Sequence, residues 1–145
     1  MFTKPKNGWT DILLEDFEGL GSYIQDVPVE VMDACIRALR DGVPVELHFD
    51  EEGAEFTLTA DETVKIVAQG YYGPEEYEVK LSKLELIREI LGDMEKFFED
   101  WVEWPEEYAY FEDHEKEAKQ AFYDERVILL QGLLAELREE LEKIS

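Results

Sequence analysis

Two histidines are the side chains from which nucleophilic catalysis would most readily be built in this chain of 145 residues. His48 alternates with the apolar Leu47 and Phe49, which places it on the polar face of a strand. His114 lies within an acidic run, 112–115. A hydrolytic nucleophile needs a base and an orienting group, and neither histidine supplies that set. We therefore predict no catalytic residues.

Motifs for metals and cofactors are also missing from the sequence. There is no paired-cysteine motif and no His-Glu-x-x-His, and the single cysteine, Cys35, is expected to be a buried thiol. The acidic run 50–55 lacks the ligand spacing of an EF-hand loop, and Gly19-Leu20-Gly21 lacks the third glycine of a dinucleotide-binding loop. With 37 acids in the chain, a pair of carboxylates with glycosidase-like spacing is no evidence for glycosidase activity. We predict no metal, no cofactor and no enzymatic activity.

Charge is the outlying property of the composition. Asp and Glu number 37 against 14 Lys and Arg, for a formal net charge of −23, and the isoelectric point is near 4.2. Such a surface repels nucleic acid and anionic lipid and attracts basic proteins, so we predict a basic protein partner and contact with neither nucleic acid nor membrane. Solubility or a halophilic source is the alternative explanation of the acidity.

The acids are densest from Asp93 to Glu117, where eleven of them stand against two lysines, a local net charge of −9. We call residues 93–117 the acidic segment. Seven aromatic residues lie between Phe97 and Phe111, more than one helix face can bury. Aromatic anchors and complementary charge are typical of protein interfaces. The predicted partner-binding residues are Glu99, Asp100, Glu103, Trp104, Glu106, Glu107, Tyr108, Tyr110, Glu112 and Asp113.

Two other interpretations of this charge pattern stay open. The aromatic residues could belong to the core, with the acids as a solvated face. A second acidic stretch, Asp11 to Asp33, holds seven acids and no Lys or Arg, so it is another candidate surface.

Hydrophobic periodicity predicts the elements that must position the acidic segment. Apolar residues at helical spacing, after an Asp26-Val27-Pro28 entry, predict a helix over 28–41 that Gly42 ends. A period of two between Val43 and Ser82 predicts four antiparallel strands in a meander. The stretch 8–17 fits a strand or a helical turn, and the glycines of 18–22 predict a break after it.

Two further helices are predicted toward the C-terminus. Ser82 and Glu85 have the spacing of a capping box and begin a helix that reaches about Trp104. The last helix runs from about Glu112 to Ile144 with a leucine stripe that could close a core or a homodimer. The predicted fold is one α+β domain, residues 1–145: an N-terminal helix, a four-stranded antiparallel meander, and two C-terminal helices packed on one face of the sheet.

No targeting signal follows the two lysines near the N-terminus, and no stretch approaches the length of a membrane span. We therefore predict a cytoplasmic protein.

Several short motifs resemble one family of proteins. They are Gly8-Trp9-Thr10, Asp16-Phe17-Glu18-Gly19, Gly21-Ser22-Tyr23-Ile24, Asp26-Val27-Pro28 and Phe49-Asp50-Glu51-Glu52-Gly53. Over about the first 55 residues the chain resembles small bacterial immunity proteins encoded beside polymorphic toxins. The resemblance implies a protein that binds its cognate toxin, frequently a basic nuclease, and blocks the toxin's active site without catalysis.

Two functions follow from the acidity. The first is such an immunity protein, which neutralises a basic toxin. The second is a DNA mimic of the anti-restriction or anti-CRISPR type, whose carboxylates replace phosphates on a nucleic-acid-binding protein. An enzyme with a carboxylate site ranks third because no motif supports it.

Overall fold

A two-stranded antiparallel sheet opens the fold. In the computed structural model, which describes residues 1–51, 53–70 and 72–144, strand β1 (Trp9–Leu14) pairs with strand β2 (Phe17–Ser22). Phe2 forms a bridge to Ile12, which ties the N-terminal segment to β1. The prediction that the fold begins with a helix is therefore wrong, and the ambiguous stretch 8–17 contains a strand.

The glycine-rich stretch that was predicted to break the chain lies inside β2. A Cβ atom on Gly19 would lie 2.6 Å from Cε1 of Phe56 and 2.9 Å from Cζ of Phe17. Glycine is needed there because two aromatic rings press against the backbone, and not because the chain turns. The turn comes earlier, at Glu15 and Asp16, where Glu15 has a φ of +50°.

Helix α1 and the second sheet confirm the central part of the predicted fold. Helix α1 spans Val27–Asp41, and Gly42 ends it with a φ of +66°. The sheet is antiparallel in the order β3 (Val45–Asp50), β4 (Glu55–Ala60), β5 (Val64–Gly70) and β6 (Gly73–Val79). Alternate residues enter the core, so the meander buries one face. Of the predicted links, Glu52 and Tyr71 lie outside the described residues.

The side chain of Gln25 closes the outer edge of β3. Its Nε2 donates to the carbonyl of His48 at 2.7 Å, and its Oε1 accepts from the amide of Asp50 at 2.7 Å. Gln25 thus pairs with the strand as a neighbouring backbone would. This pairing fixes the loop between β2 and α1, which borders the acidic segment.

The predicted helix from Ser82 to about Trp104 is two helices. Helix α2 spans Lys83–Lys96 with the predicted capping box in place, and helix α3 spans Phe98–Val102. Between them the helical path breaks at Phe97, and Trp101 is turned into the core with only 1% of its surface exposed. Its indole N–H donates to the carbonyl of Asp93 at 3.2 Å, so the break also satisfies a buried donor.

Two short 3-10 turns, Glu106–Tyr110 and Asp113–Glu115, follow α3 and precede helix α4 (Lys116–Ile144). The predicted start of the last helix, near Glu112, therefore falls before the second turn. Helix α4 packs against α1, α2 and α3, and α1 is the helix that packs beside β3. The leucine stripe of α4 lies in the core. Among the described helices, none combines the length and the apolar character that crossing a membrane requires.

Cys35 is fully buried in α1, and burial raises the pKa of its thiol to about 12. We expect the folded protein to react with a thiol-specific disulfide reagent at pH 8 only as fast as it opens. In urea, where the chain is unfolded, labelling should be complete within minutes. Native labelling as fast as that of the unfolded chain would show that Cys35 is accessible.

Candidate partner-binding surface

The acidic segment runs from the end of α2, through α3 and the two 3-10 turns, to the start of α4. Eight of its eleven acids are exposed and the other three are half-buried. Three of these acids lie within 4.0 Å of a basic group: Asp93 of the Met1 amine, Glu95 of the Arg138 guanidinium, and Glu112 of the His114 imidazole. Among the described residues, the other eight acids have no cationic group within 4.0 Å. Most of this negative charge therefore faces solvent without a cationic partner in the described part of the chain.

The two tryptophans of the acidic segment hold it to the core. The rings of Trp101 and Trp104 lie 5.3 Å apart, and Phe2 packs edge-on against Trp101 at 5.5 Å. Trp104 is 4% exposed, and its indole N–H donates to the carbonyl of Gln25 at 2.8 Å. Trp104 was predicted to contact a partner, but it lies in the core because both its ring and its donor are already satisfied there.

The two predicted tyrosines differ in exposure. Tyr108 is half-buried against Phe122, and its hydroxyl donates to the carbonyl of Val102 at 2.9 Å. Burial raises the pKa of the Tyr108 phenol to about 12. Tyr110 is 69% exposed, and its hydroxyl donates to a carboxylate oxygen of Glu106 at 2.6 Å. Tyr110 is therefore the exposed aromatic ring among the predicted contact residues.

The predicted acids divide by position. Glu99, Asp100 and Glu103 lie on or just after α3, of which Asp100 is half-buried. Glu106 and Glu107 begin the first 3-10 turn, and Glu112 and Asp113 begin the second. All of them except Asp100 are exposed. The structure thus spreads the predicted acids along one continuous segment of chain.

An ion pair that the sequence did not reveal lies beneath this segment. The guanidinium of Arg126, 5% exposed on α4, makes two hydrogen bonds of 2.7 Å to the carboxylate of Asp26. It also donates to the carbonyls of Trp101 and Val102, each at 3.2 Å. One side chain therefore joins α4, the start of α1 and the end of α3. Nothing in the sequence links residues that lie this far apart.

A groove of about 340 Å³ opens beside this ion pair. Its walls come from the loop before α1, from residues 104–107, and from α4 between Phe122 and Leu129. Ile24 and Leu129 line it and are 51% and 46% exposed. Glu107 and Glu125 line it as well, and both are exposed. The groove thus combines apolar walls with carboxylates at the edge of the acidic segment.

Ligand-type atoms of Glu112, His114 and Glu115 lie within 4.8 Å of one another, the one such group among the described residues. Local contacts account for this arrangement. Glu112 and Glu115 cap the turn reciprocally, and Nδ1 of His114 lies 3.4 Å from a carboxylate oxygen of Glu112. The three residues are brought together by the turn itself, so their proximity does not distinguish a metal site.

Comparisons with protein families, with curated proteins and with solved structures give no match for this chain. The resemblance to immunity proteins, drawn from short motifs, therefore stays a prediction.

The Met1 amine makes the stability of the fold sensitive to alkaline pH. Burial lowers the pKa of this amine, but hydrogen bonds to Glu89 and Asp93 outweigh burial and raise the pKa above its ordinary value of 8.0. A raised pKa adds stability that is complete below pH 8 and is lost as the pH rises through the folded value. We expect the free energy of unfolding to fall above pH 8 in urea titrations. Glu89→Gln should reduce this fall, and an unchanged slope would contradict the assignment.

Proposed function

We propose that this chain is a non-catalytic binding protein that neutralises a basic protein partner through the acidic segment, residues 93–117. The observation that carries the proposal is the exposed and unpaired charge of this segment. Eight of its eleven acids make no ion pair within the described residues. Grouping like charges without counterions opposes folding, so a basic partner would supply the compensating positive charge.

The attachment of the acidic segment to the core supports the same function. Trp101 and Trp104 are buried, and Arg126 holds the carbonyls at the end of α3. A segment fixed in this way loses little conformational freedom when it binds, so more of the interaction energy is expressed as affinity. The charges are presented at set positions, as electrostatic steering of a partner requires.

We further propose that the partner is a toxin, such as a nuclease, and that the chain acts as its immunity protein. Enzymes that act on nucleic acid present basic surfaces, which an acidic protein can cover. The motifs that resemble immunity proteins include Asp26, and this residue holds Arg126 beneath the acidic segment. Residues of the resemblance and residues of the candidate surface are thus joined by direct contacts.

Co-expression with the product of the neighbouring gene tests this function. We expect that product to be toxic alone, to be harmless with this chain, and to elute with it as one complex on a sizing column. A matched variant with Glu103→Gln, Glu106→Gln and Glu107→Gln should protect less well than the wild type. Absence of both rescue and complex would contradict the proposal.

Competition with DNA for a nucleic-acid-binding protein distinguishes a DNA mimic from an immunity protein. A mimic displaces DNA from a nucleic-acid-binding protein at low salt and loses this effect as salt is added, because the contact is mainly electrostatic. An immunity protein recognises its cognate toxin, so it should not displace DNA from an unrelated nuclease or repressor. Absence of that displacement at low salt, in a protein that still rescues growth, would support the immunity function.

A further inference from the structure

We infer that the groove between Ile24, Glu107 and Leu129 receives an arginine or lysine side chain from an apolar and basic segment of the partner. This inference rests on the proposed function, because it names where and how the basic partner would insert a side chain. It extends the contact surface beyond the predicted residues to the loop before α1 and to the outer face of α4.

The apolar walls of the groove are exposed in the isolated chain. Ile24 is 51% exposed and Leu129 is 46% exposed, and Ile128, beside Leu129 on α4, is 71% exposed. The buried side chains of α4 include Leu130 and Leu134, which lie in the core. Exposed aliphatic residues at a groove rimmed by charge are typical of binding sites. Their burial by a partner would contribute to affinity through the hydrophobic effect.

Two carboxylates of the groove have no counterion among the residues that the structure describes. Among the described residues, Glu107 and Glu125 have no cationic group within 4.0 Å. Arg126 also lines the groove, but its guanidinium already donates to Asp26 and to two backbone carbonyls. The ion pair cancels its charge, so the two glutamates leave the groove negative. A cation is the complement of such a site.

The combined chemistry selects an arginine or lysine side chain over other occupants. These side chains carry an aliphatic stem, which can lie on Ile24 and Leu129, and a charged head, which can reach Glu107 and Glu125. A second copy of this chain is disfavoured because each copy carries a formal net charge of −23. The volume of about 340 Å³ is enough for such a side chain and part of its neighbour.

A blocked peptide of alternating leucine and arginine is a direct probe of the groove. We expect its addition to the folded protein to shift the indole N–H resonance of Trp104 and the methyl resonances of Ile24 and Leu129. The same peptide with citrulline in place of arginine keeps the shape and removes the charge. It should bind at least about tenfold more weakly, a loss of the size expected for one ion pair in a partly desolvated site.

Matched variants separate the groove from the rest of the surface. Leu129→Ser, and the double variant Glu107→Gln with Glu125→Gln, should each weaken peptide binding about tenfold or more. Ile144→Ser and Glu142→Gln change exposed residues near the end of the same helix and should leave the affinity unchanged. Ile24→Ser repeats the apolar test from the opposite wall. Circular dichroism establishes that each variant is folded.

The outcomes distinguish this inference from the function on which it rests. The groove inference would be overturned if wild type and all groove variants bound the peptide equally. It would also be overturned if the arginine and citrulline peptides bound equally. If the neighbouring gene product binds wild type and groove variants equally, the groove inference fails and the proposed function stands. If the peptide occupies the groove but that product does not bind, the groove stands and the proposed function fails.

Discussion

Replacing Arg126 by methionine is expected to lower the free energy of unfolding by about 3 kcal/mol. This is the low end of the cost of breaking a buried ion pair, because the side chain of Asp26 keeps 40% of its surface exposed. The change removes both guanidinium donors from the Asp26 carboxylate and one donor from each of the carbonyls of Trp101 and Val102, which keep bonds from the Trp104 amide and the Tyr108 hydroxyl. Methionine preserves much of the side-chain volume, so the loss reports the polar contacts and not a cavity.

Urea unfolding at pH 7 measures this loss, with Arg138→Met as the matched control. Arg138 also lies on α4 and pairs with Glu95, but both side chains are roughly half exposed. Surface pairs of this kind contribute less than about 1 kcal/mol. Equal losses in the two variants would mean that Arg126 contributes no more than a surface arginine. In the Arg126 variant we also expect a shifted indole resonance of Trp104, since the groove loses its support.

Neutralising Glu103, Glu106 and Glu107 together is expected to slow association with the basic partner at least about tenfold at low salt. Steering by a charged surface accelerates association by about 10-fold to 1,000-fold, and the effect falls with ionic strength. All three acids are exposed. The triple variant should therefore show both a lower association rate and a weaker dependence of that rate on salt.

A second triple variant controls for net charge alone. Glu46, Glu76 and Glu78 are exposed on the four-stranded sheet, and their change to glutamine alters the net charge by the same amount. Stopped-flow mixing of each variant with the partner gives the association rates. We expect the sheet variant to keep most of the wild-type rate. Equal slowing by both triples would indicate that the total charge, and not the acidic segment, controls association.

Local patterns were sufficient for the middle of the fold. The helix at 28–41, the four strands after it and the capping box at Ser82 each depend on residues close together in sequence, and the structure contains them. The predictions that were wrong concern features that depend on residues distant in sequence. Gly19 was predicted to lie in a turn, but a glycine is required there by the ring of Phe56, which is distant in sequence. The break before α3 follows from the burial of Trp101 against Phe2, which is also distant in sequence.

The opening hairpin lacked the usual sequence signal for a tight turn. Its two-residue loop is Glu15 and Asp16, without the glycine or asparagine that a positive φ favours. Glu15 nevertheless adopts a φ of +50°, because pairing of β1 with β2 outweighs the local preference. Only the pairing across the whole hairpin reveals the turn.

The candidate surface also has properties that the sequence predicts and properties that only the structure reveals. The amount of acid in residues 93–117 is a property of the sequence, since charge is counted residue by residue. The sequence does not determine which aromatic residues are exposed, because exposure depends on what packs against each ring. Trp104 is buried and Tyr110 is exposed.

The sequence by itself determined the acidity, the local helices and strands, and the density of acid in one segment, because these depend on composition and short-range periodicity. The tertiary structure alone decided the contact of Asp26 with Arg126 and the groove beside it, because residues 100 positions apart meet only when α1 and α4 pack together.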